Sequence, residues 1–355
     1  MQYTGKRDVK TTPFHVRACA NIVWLVMCTA LVATRVQARQ APATSPTRIG
    51  GGPDDAIQLE RPVAIRFVTP TRLIIVEEHA APFIRLLNRD GKLVQTLGRM
   101  GAGPSEFRYV SAVAIDSGGR VAIFDPAQRR VTYFQLKDTL TFVESKTTPF
   151  HVTAACYLGA QLWAHGDASN DGVIHRLNER GAILTVEQSV GRMKIGHPLD
   201  GMRLFRQPVV SGPVACNAAT GEVLAATEGL GFVQIVTAVS GASRIEHISA
   251  FQPLLFEAAE RGGLMTKQNP TGTNDQIVSF ISAARSTRVI IGQVGKGGRG
   301  HGDYIRTWET ELGKASVGPA LRQTTAETDR RGEFALCYAE QDYPSVLVVR
   351  ARRCP

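Results

Sequence analysis

A repeat of about 48 residues constrains this chain more than any other feature of its sequence. When the segment that begins at Ile65 is moved forward by 48 positions without a gap, Arg72 aligns with Arg120 and the apolar run 73–76 aligns with 121–124. Each copy has the pattern of three strands joined by two turns, and its central strand is apolar on both faces. Such a sheet must be covered on both sides, so the repeat predicts sheets that pack one against the next.

The turn before the central strand can be followed along the whole chain. It occurs six times, at residues 71–72, 119–120, 160–161, 221–222, 286–287 and 332–333. Six units in about 295 residues give roughly 49 residues each, which is within the range for propeller blades. A closed ring lets every blade pack on two neighbours. The predicted fold class is therefore all-β: a six-bladed β-propeller of four-stranded antiparallel blades, spanning residues 61–355.

Two intervals between these turns are longer than the others. Insertions there include the segments 192–208 and 251–273. Within the second, Leu254–Arg261 predicts a short helix that ends at Gly262-Gly263. Excursions of this kind usually leave one rim of a ring, where binding faces are commonly built.

The first 38 residues have the layout of a secretory signal peptide. A basic lead precedes the apolar run Ile22–Ala33, and Val36-Gln37-Ala38 predicts cleavage after Ala38. The run has about twelve residues where a membrane span needs about twenty, so an anchor is the weaker alternative and the mature chain is expected to lack a transmembrane span. Lipidation at Cys28 is a further alternative. Residues 39–60 are predicted to be a linker, because they offer turn formers and little apolar material. The mature protein is expected in the periplasm or outside the cell.

The charge pattern argues against nucleic acid as a partner. The formal net charge is +10, and removal of residues 1–38 lowers it to +6. The basic residues are scattered as singles and pairs, whereas nucleic-acid readers cluster them and interleave aromatic side chains.

Four cysteines remain after the predicted cleavage: Cys156, Cys216, Cys337 and Cys354. An exported protein can form disulfides, and four cysteines allow three full pairings. Cys156 and Cys216 each precede the turn of their own blade by four or five residues, which places them on corresponding strands of adjacent blades. They are the predicted disulfide, with free buried cysteines as the alternative.

The glycine-rich segment between the first two repeats carries a family resemblance. Asn88-Arg89-Asp90-Gly91 leads into Gly98-Arg99-Met100-Gly101-Ala102-Gly103-Pro104-Ser105-Glu106-Phe107, followed by the strands 113–116 and 119–125. This pattern resembles the NHL-type repeat and the related six-bladed propeller proteins that bacteria export, in which a loop ending in G-P-x-E-F links two blades. The resemblance implies the fold and leaves function open, since such proteins include binding platforms and a few lyases or lactonases.

Three motifs have both a structural and a functional interpretation. Gly98–Gly103 could bind phosphate, but Pro104 and a strand follow where a helix would be needed, so a blade connector is predicted, with Glu106 accepting backbone N–H bonds. Glu77 and Asp125 end central strands and are predicted to cap turns, with acid–base chemistry as the alternative. Basic residues around 295–302 could attract an anion or form a solvated loop.

Two His-Gly-Asp segments are the candidate metal ligands. His165 and Asp167 lie in one blade and His301 and Asp303 in another, so the four could meet near the ring axis. No close-spaced ligand motif supports this. Apart from such a divalent metal no cofactor is expected, and no residue is assigned a catalytic role.

The function predicted from the sequence is that of an exported binding or scaffolding module. Its partner would be a protein or a small-molecule or carbohydrate ligand, and the module is expected to be a monomer. The alternative is a propeller enzyme, a lyase or lactone hydrolase, with its site at the mouth of the central channel.

Overall fold

The computed structural model describes the part of the chain that carries the repeats. The described residues are 47–50, 52, 55–167, 172–191, 194, 212–249, 251–258, 264–267, 269–283, 286–294, 304–312, 317–321, 324–328, 335–339 and 345–349. The predicted signal peptide, half of the predicted linker, and Gly332-Glu333 of the last turn lie outside these residues.

The first three blades follow a short N-terminal strand, β1 (Thr47–Gly50). Blade 1 contains β2 (Pro62–Thr69), β3 (Arg72–Glu77), β4 (Ile84–Asn88) and β5 (Leu93–Leu97). Two short strands connect it to the next blade: β6 (Arg99–Met100) and β7 (Glu106–Phe107). Blade 2 contains β8 (Ala112–Ile115), β9 (Arg120–Asp125), a 3₁₀ turn (Pro126–Gln128), β10 (Arg130–Leu136) and β11 (Leu140–Thr147). Blade 3 contains β12 (His151–Leu158), β13 (Gln161–Asp167), β14 (Gly172–Asn178) and β15 (Thr185–Gly191).

The last three blades follow the same order. Blade 4 contains β16 (Val214–Asn217), β17 (Glu222–Thr227), β18 (Phe232–Thr237) and β19 (Ser243–His247). A hairpin follows, made of β20 (Leu255–Ala258) and β21 (Leu264–Lys267). Blade 5 contains β22 (Asn274–Ala283), β23 (Ser286–Val294), β24 (Tyr304–Glu311) and β25 (Val317–Leu321). Blade 6 contains β26 (Thr324–Thr328), β27 (Ala335–Ala339) and β28 (Ser345–Val349).

The six blades close into a ring through their first strands. Each first strand contacts the first strand of the next blade, from β2 to β8, β12, β16, β22 and β26, and β26 contacts β2 again. The first strands therefore surround the axis, and the fourth strands form the circumference. Every blade is a four-stranded antiparallel sheet, as the repeat predicted.

The N-terminal strand completes the last blade. β1 pairs antiparallel with β28, so that Thr47 lies opposite Val348 and Gly50 opposite Ser345. Ile49 is buried with Leu59, Ile65 and other side chains of blade 1. The ring thus begins within the segment 39–60 that was predicted to be a linker. The difference arises because a four-residue strand needs only one apolar anchor, which composition over the whole segment does not reveal.

The central strands β3, β9, β13, β17 and β23 of blades 1 to 5 are buried on both faces, which explains their continuous apolar sequence. In β3, Ile74 and Val76 pack against blade 2, whereas Leu73 and Ile75 belong to the cluster that also contains Ile49 of β1. This two-sided packing removes the apolar side chains of β3 from water.

The circumference provides a second set of contacts between neighbours. The Gln95 side chain of blade 1 donates to the Leu140 carbonyl of blade 2 over 3.0 Å and accepts from the Leu140 N–H over 2.8 Å. Leu184 of blade 3 donates its N–H to the Thr147 carbonyl of blade 2 over 2.9 Å. Gly91, at φ +78°, lies against the β1 side chains, where a Cβ atom would approach Thr47 to 2.8 Å. Each of these fourth strands touches the hairpin between the third and fourth strands of the following blade.

The predicted helix at 254–261 is wrong. β20 and β21 form an antiparallel hairpin that pairs Leu255 with Lys267 and Ala258 with Leu264. Eight residues form too few internal hydrogen bonds to stabilise an isolated helix, whereas strand pairing satisfies the same backbone groups.

Candidate functional site

Buried carboxylates recur at one rim of the ring, where the first strand of each blade begins and the second strand ends. This rim is called the upper rim here. In blade 1, Glu77 accepts the backbone N–H of Arg61 over 2.8 Å and that of Glu60 over 3.4 Å. In blade 2, Asp125 accepts the backbone N–H of Arg108 over 2.7 Å. Both carboxylates therefore hold the chain that leads into the first strand. Asp125 also caps the 3₁₀ turn that follows it, as predicted, whereas these bonds of Glu77 reach residues 16 and 17 positions earlier in the chain rather than a turn.

Both carboxylates are hydrogen-bonded locally, and Glu77 also has a counter-charge. Glu77 is fully buried, and the Arg85 guanidinium lies 2.9 Å from it. Burial raises the pKa of Glu77, while the hydrogen bond from Arg61 and the charge of Arg85 oppose that rise. Asp125 accepts the backbone N–H and the side-chain amide of Gln128, over 3.1 and 2.6 Å.

Blade 5 has a related arrangement, in which the carboxylate lies on the first strand instead of the second and its side-chain partner lies on the second strand. Asp275, which is buried on the first strand, accepts the backbone N–H of Gln252 over 2.7 Å. Gln293, near the end of the second strand, donates to the other oxygen of Asp275 over 3.1 Å. A carboxylate again holds the chain at this rim, although the β20–β21 hairpin separates Gln252 from the first strand along the sequence.

An exposed polar cluster lies on the upper rim between blades 1 and 2. It consists of Arg61, Glu78, His79 and Tyr109 and is called the rim cluster here. Arg61 Nε lies 2.8 Å from the Glu78 carboxylate, and His79 Nε2 lies 3.7 Å from it. The side chains of Arg61 and His79 are 53% and 59% exposed, whereas that of Glu78 is 11% exposed. The rings of His79 and Tyr109 are 5.0 Å apart, and burial together with the Glu78 charge raises the pKa of Tyr109.

His165, one of the predicted metal ligands, is buried near the upper rim of blade 3. Its Nδ1 lies 3.1 Å from the Thr153 hydroxyl. Burial, with a smaller contribution from His175, lowers the pKa of His165 to about 4. Asp167 ends the same strand, opposite His151.

The other two predicted ligands, His301 and Asp303, lie outside the described residues. Among the described residues, no group of three or more His, Cys, Asp or Glu side chains is placed to hold a metal ion. The metal site therefore stays a prediction.

The glycine-rich segment is a blade connector, as predicted. Glu106 accepts the backbone N–H of Gly103 over 2.7 Å, and Arg99 Nε lies 2.5 Å from its other oxygen. Arg130 donates to the carbonyls of Ala102, Gly103 and Glu106. The loop is thus held by its own Glu106 and by Arg130 of β10, which together bind several of its backbone groups.

Cys156 and Cys216 are joined by a disulfide between blades 3 and 4. Their sulfur atoms are 1.95 Å apart and their Cα atoms 5.7 Å apart. Both lie on first strands, near the axis. Cys337 lies on β27, and Cys354 is outside the described residues.

Sequence reasoning missed Glu78, His79, Tyr109 and Glu228. Glu228 directly follows the second strand of blade 4, and burial raises its pKa to about 7. The carbonyls of Glu78 and Glu228 each accept an N–H from the next blade, that of Val110 and that of Ile277. Their positions in the repeat could have revealed them, because residues just after a second strand and residues just before a first strand lie at the same rim.

The comparisons with known proteins agree with this architecture. Residues 54–185 match a family described as "6-bladed beta-propeller". The structure resembles that of a protein from Bacteroides fragilis described as a "putative exported protein", with a TM-score of 0.55, 16% identity, and coverage of 87% of this chain and 95% of that one. It also resembles a member of the duf4221 family from Bacteroides vulgatus, with a TM-score of 0.53, 7% identity, and coverage of 87% and 96%.

The chain is a six-bladed β-propeller. The propeller formed by the WD40 repeats of RRP9 is similar at a TM-score of 0.53 and 12% identity, with coverage of 88% of this chain and 99% of that one. No curated protein sequence matches the chain. Identities this low show the fold of the propeller alone. Among the described residues, no helix has the length and hydrophobicity that crossing a membrane requires.

Proposed function

We propose that this propeller is an exported, monomeric binding module that holds a partner at its upper rim. The proposal rests on the observation that the buried carboxylates of this rim bind backbone N–H groups. Glu77, Asp125 and Asp275 are buried and hold backbone N–H groups, so they act as supports. The side chains left exposed on this fixed backbone are suited to contact a partner, because a preformed surface loses little entropy on binding. The resemblance to a protein described as exported supports a location in the periplasm or outside the cell.

A pulldown with matched variants tests this function. The purified protein is incubated with the exported fraction of its source organism, next to the double variant His79→Ala/Tyr109→Ala and the control Arg180→Gln. Arg180 is exposed in the turn between the third and fourth strands of blade 3, at the opposite rim. We expect one partner that the wild type and the control retain and the double variant loses. Turnover of a small substrate with no partner recovered would overturn the proposal.

One observation favours the alternative of a propeller enzyme. Glu228 lies at the upper rim with a pKa of about 7, and a carboxyl group with such a pKa can serve as a general acid or base near neutral pH. If the protein is an enzyme, we expect it to turn over a substrate, and we expect Glu228→Gln to abolish that turnover without lowering the melting temperature of the protein. Binding of the partner unchanged by Glu228→Gln, with no turnover, would leave the binding module as the function.

A further inference from the structure

We propose that the upper rim of blades 1 and 2 binds an acidic peptide segment of the partner, with Arg61 and Arg108 as the residues that bind its carboxylates. This inference rests on the proposed binding function and names the chemistry of the partner. It concerns only the part of the rim formed by blades 1 and 2.

The two arginines occupy the same supported position in adjacent blades. Each is the residue whose backbone N–H is held by the buried carboxylate at the end of its blade's second strand, Glu77 for Arg61 and Asp125 for Arg108. Both side chains are exposed. Two exposed arginines are therefore carried by backbone positions that are fixed before a ligand arrives, on adjacent blades whose first strands are in contact.

At this part of the rim the negative side chains are mostly buried, whereas the two arginines are exposed. Glu77 and Asp125 are buried and hydrogen-bonded, and Glu78 is nearly buried beside Arg61. Arg61 meets Glu78 through Nε, which leaves the two terminal nitrogens of a half-exposed guanidinium for a second carboxylate. Arg108 makes no ion pair within the described part of the chain. The exposed charges at this part of the rim are thus those of Arg61 and Arg108, with the single exposed carboxylate of Glu60 next to Arg61 in the sequence.

The neighbouring side chains favour a peptide as the source of the carboxylates. The tilted rings of His79 and Tyr109 lie beside the arginines, and Met100 on the connector is 56% exposed. Arginine, tyrosine and methionine are the residue types that protein interfaces enrich, and arginine with tyrosine supplies many of their most important contacts. Arginine clusters are also a common means of recognising acidic peptide motifs.

Fluorescence anisotropy with labelled octaglutamate tests the proposal. The full chain and the variants Arg61→Gln, Arg108→Gln and Arg180→Gln are titrated at low and high salt, with octalysine as the opposite-charge probe. We expect octaglutamate to bind the wild type and Arg180→Gln equally. Each rim variant should bind it about tenfold more weakly, because each loses one charge-assisted contact. High salt should weaken binding, and octalysine should not bind.

Several outcomes would overturn the inference. These are absence of octaglutamate binding, equal weakening in Arg180→Gln, and binding of polygalacturonate through the same arginines without binding of octaglutamate. Arg108→Gln removes no internal ion pair, so its melting temperature should equal that of the wild type and loss of fold cannot imitate loss of binding. A partner captured through His79 and Tyr109 but retained by Arg61→Gln and Arg108→Gln would keep the binding function and refute the acidic ligand.

Discussion

Arg61 donates its backbone N–H to the buried carboxylate of Glu77 over 2.8 Å. Arg61 lies just before the first strand of blade 1, and Glu77 ends the second. The same carboxylate binds the guanidinium of Arg85 on the third strand over 2.9 Å. One side chain thus ties together three successive segments of the blade and fixes the rim beside them.

Replacing this carboxylate should destabilise the protein. In Glu77→Gln the Arg85 charge stays buried without its counter-charge, which typically costs about 3–5 kcal/mol. Urea denaturation measures the loss. Glu77→Gln/Arg85→Met removes the stranded charge, so it should recover part of that stability. Equal unfolding free energies of Glu77→Gln and the wild type would show that the Glu77–Arg85 ion pair does not stabilise the protein.

The N-terminal strand should be required for a stable ring. A chain that begins at Ser45 keeps β1, whereas one that begins at Asp55 leaves β28 with an unpaired edge and removes buried Ile49. We expect the shorter chain to lose at least about 3 kcal/mol of unfolding free energy. A synthetic peptide spanning residues 45–52 should restore its melting temperature. Equal melting temperatures of the two chains would contradict the closure described here.

The Cys156–Cys216 disulfide should stabilise the junction of blades 3 and 4. It closes a loop of 60 residues, for which chain entropy gives a stabilisation of about 4 kcal/mol. Reductant should therefore lower the melting temperature of the wild type and leave that of Cys156→Ala/Cys216→Ala unchanged. Mass spectrometry of peptides from the unreduced protein should recover the two cysteines linked. Alkylation of both cysteines in the native protein would rule the bridge out.

Acidification should destabilise the protein through His165. Because its pKa is about 4 in the folded chain and about 6.5 in an unfolded one, the unfolded state binds more protons between these values. Stability is then complete above about pH 6.5 and falls as the pH drops towards 4, by an amount on the order of 3 kcal/mol. Unfolding free energies across this range should fall less steeply for His165→Gln. The control His79→Gln changes an exposed histidine and should follow the wild type.

The fold could be predicted from sequence because its main determinant is repeated locally. The turn before each second strand is encoded by adjacent residues, and the apolar strand that follows is buried on both sides in blades 1 to 5. The strand β1 could not be predicted in this way, since its partner β28 is almost a whole chain length distant. The hairpin β20–β21 was missed because its residues favour a helix locally and a strand only when paired.

The candidate site was less accessible to prediction for a related reason. Glu77 and Asp125 were found because they stand at repeated positions. The rim cluster depends on which residues of blade 2 meet those of blade 1, and Tyr109 contacts His79 across that junction. Contacts between blades follow no short sequence motif, so only the assembled ring reveals them.

The pairing of β1 with β28 also determines when, during synthesis, the sixth blade can gain its fourth strand. Thr47 is synthesised long before its partner Val348. Until then the N-terminal segment has no strand to join, and the sixth sheet lacks its outer member. Such a long wait exposes unpaired backbone to other chains. Nascent molecules of this protein should therefore depend on dilution or on a chaperone until β1 and β28 have paired.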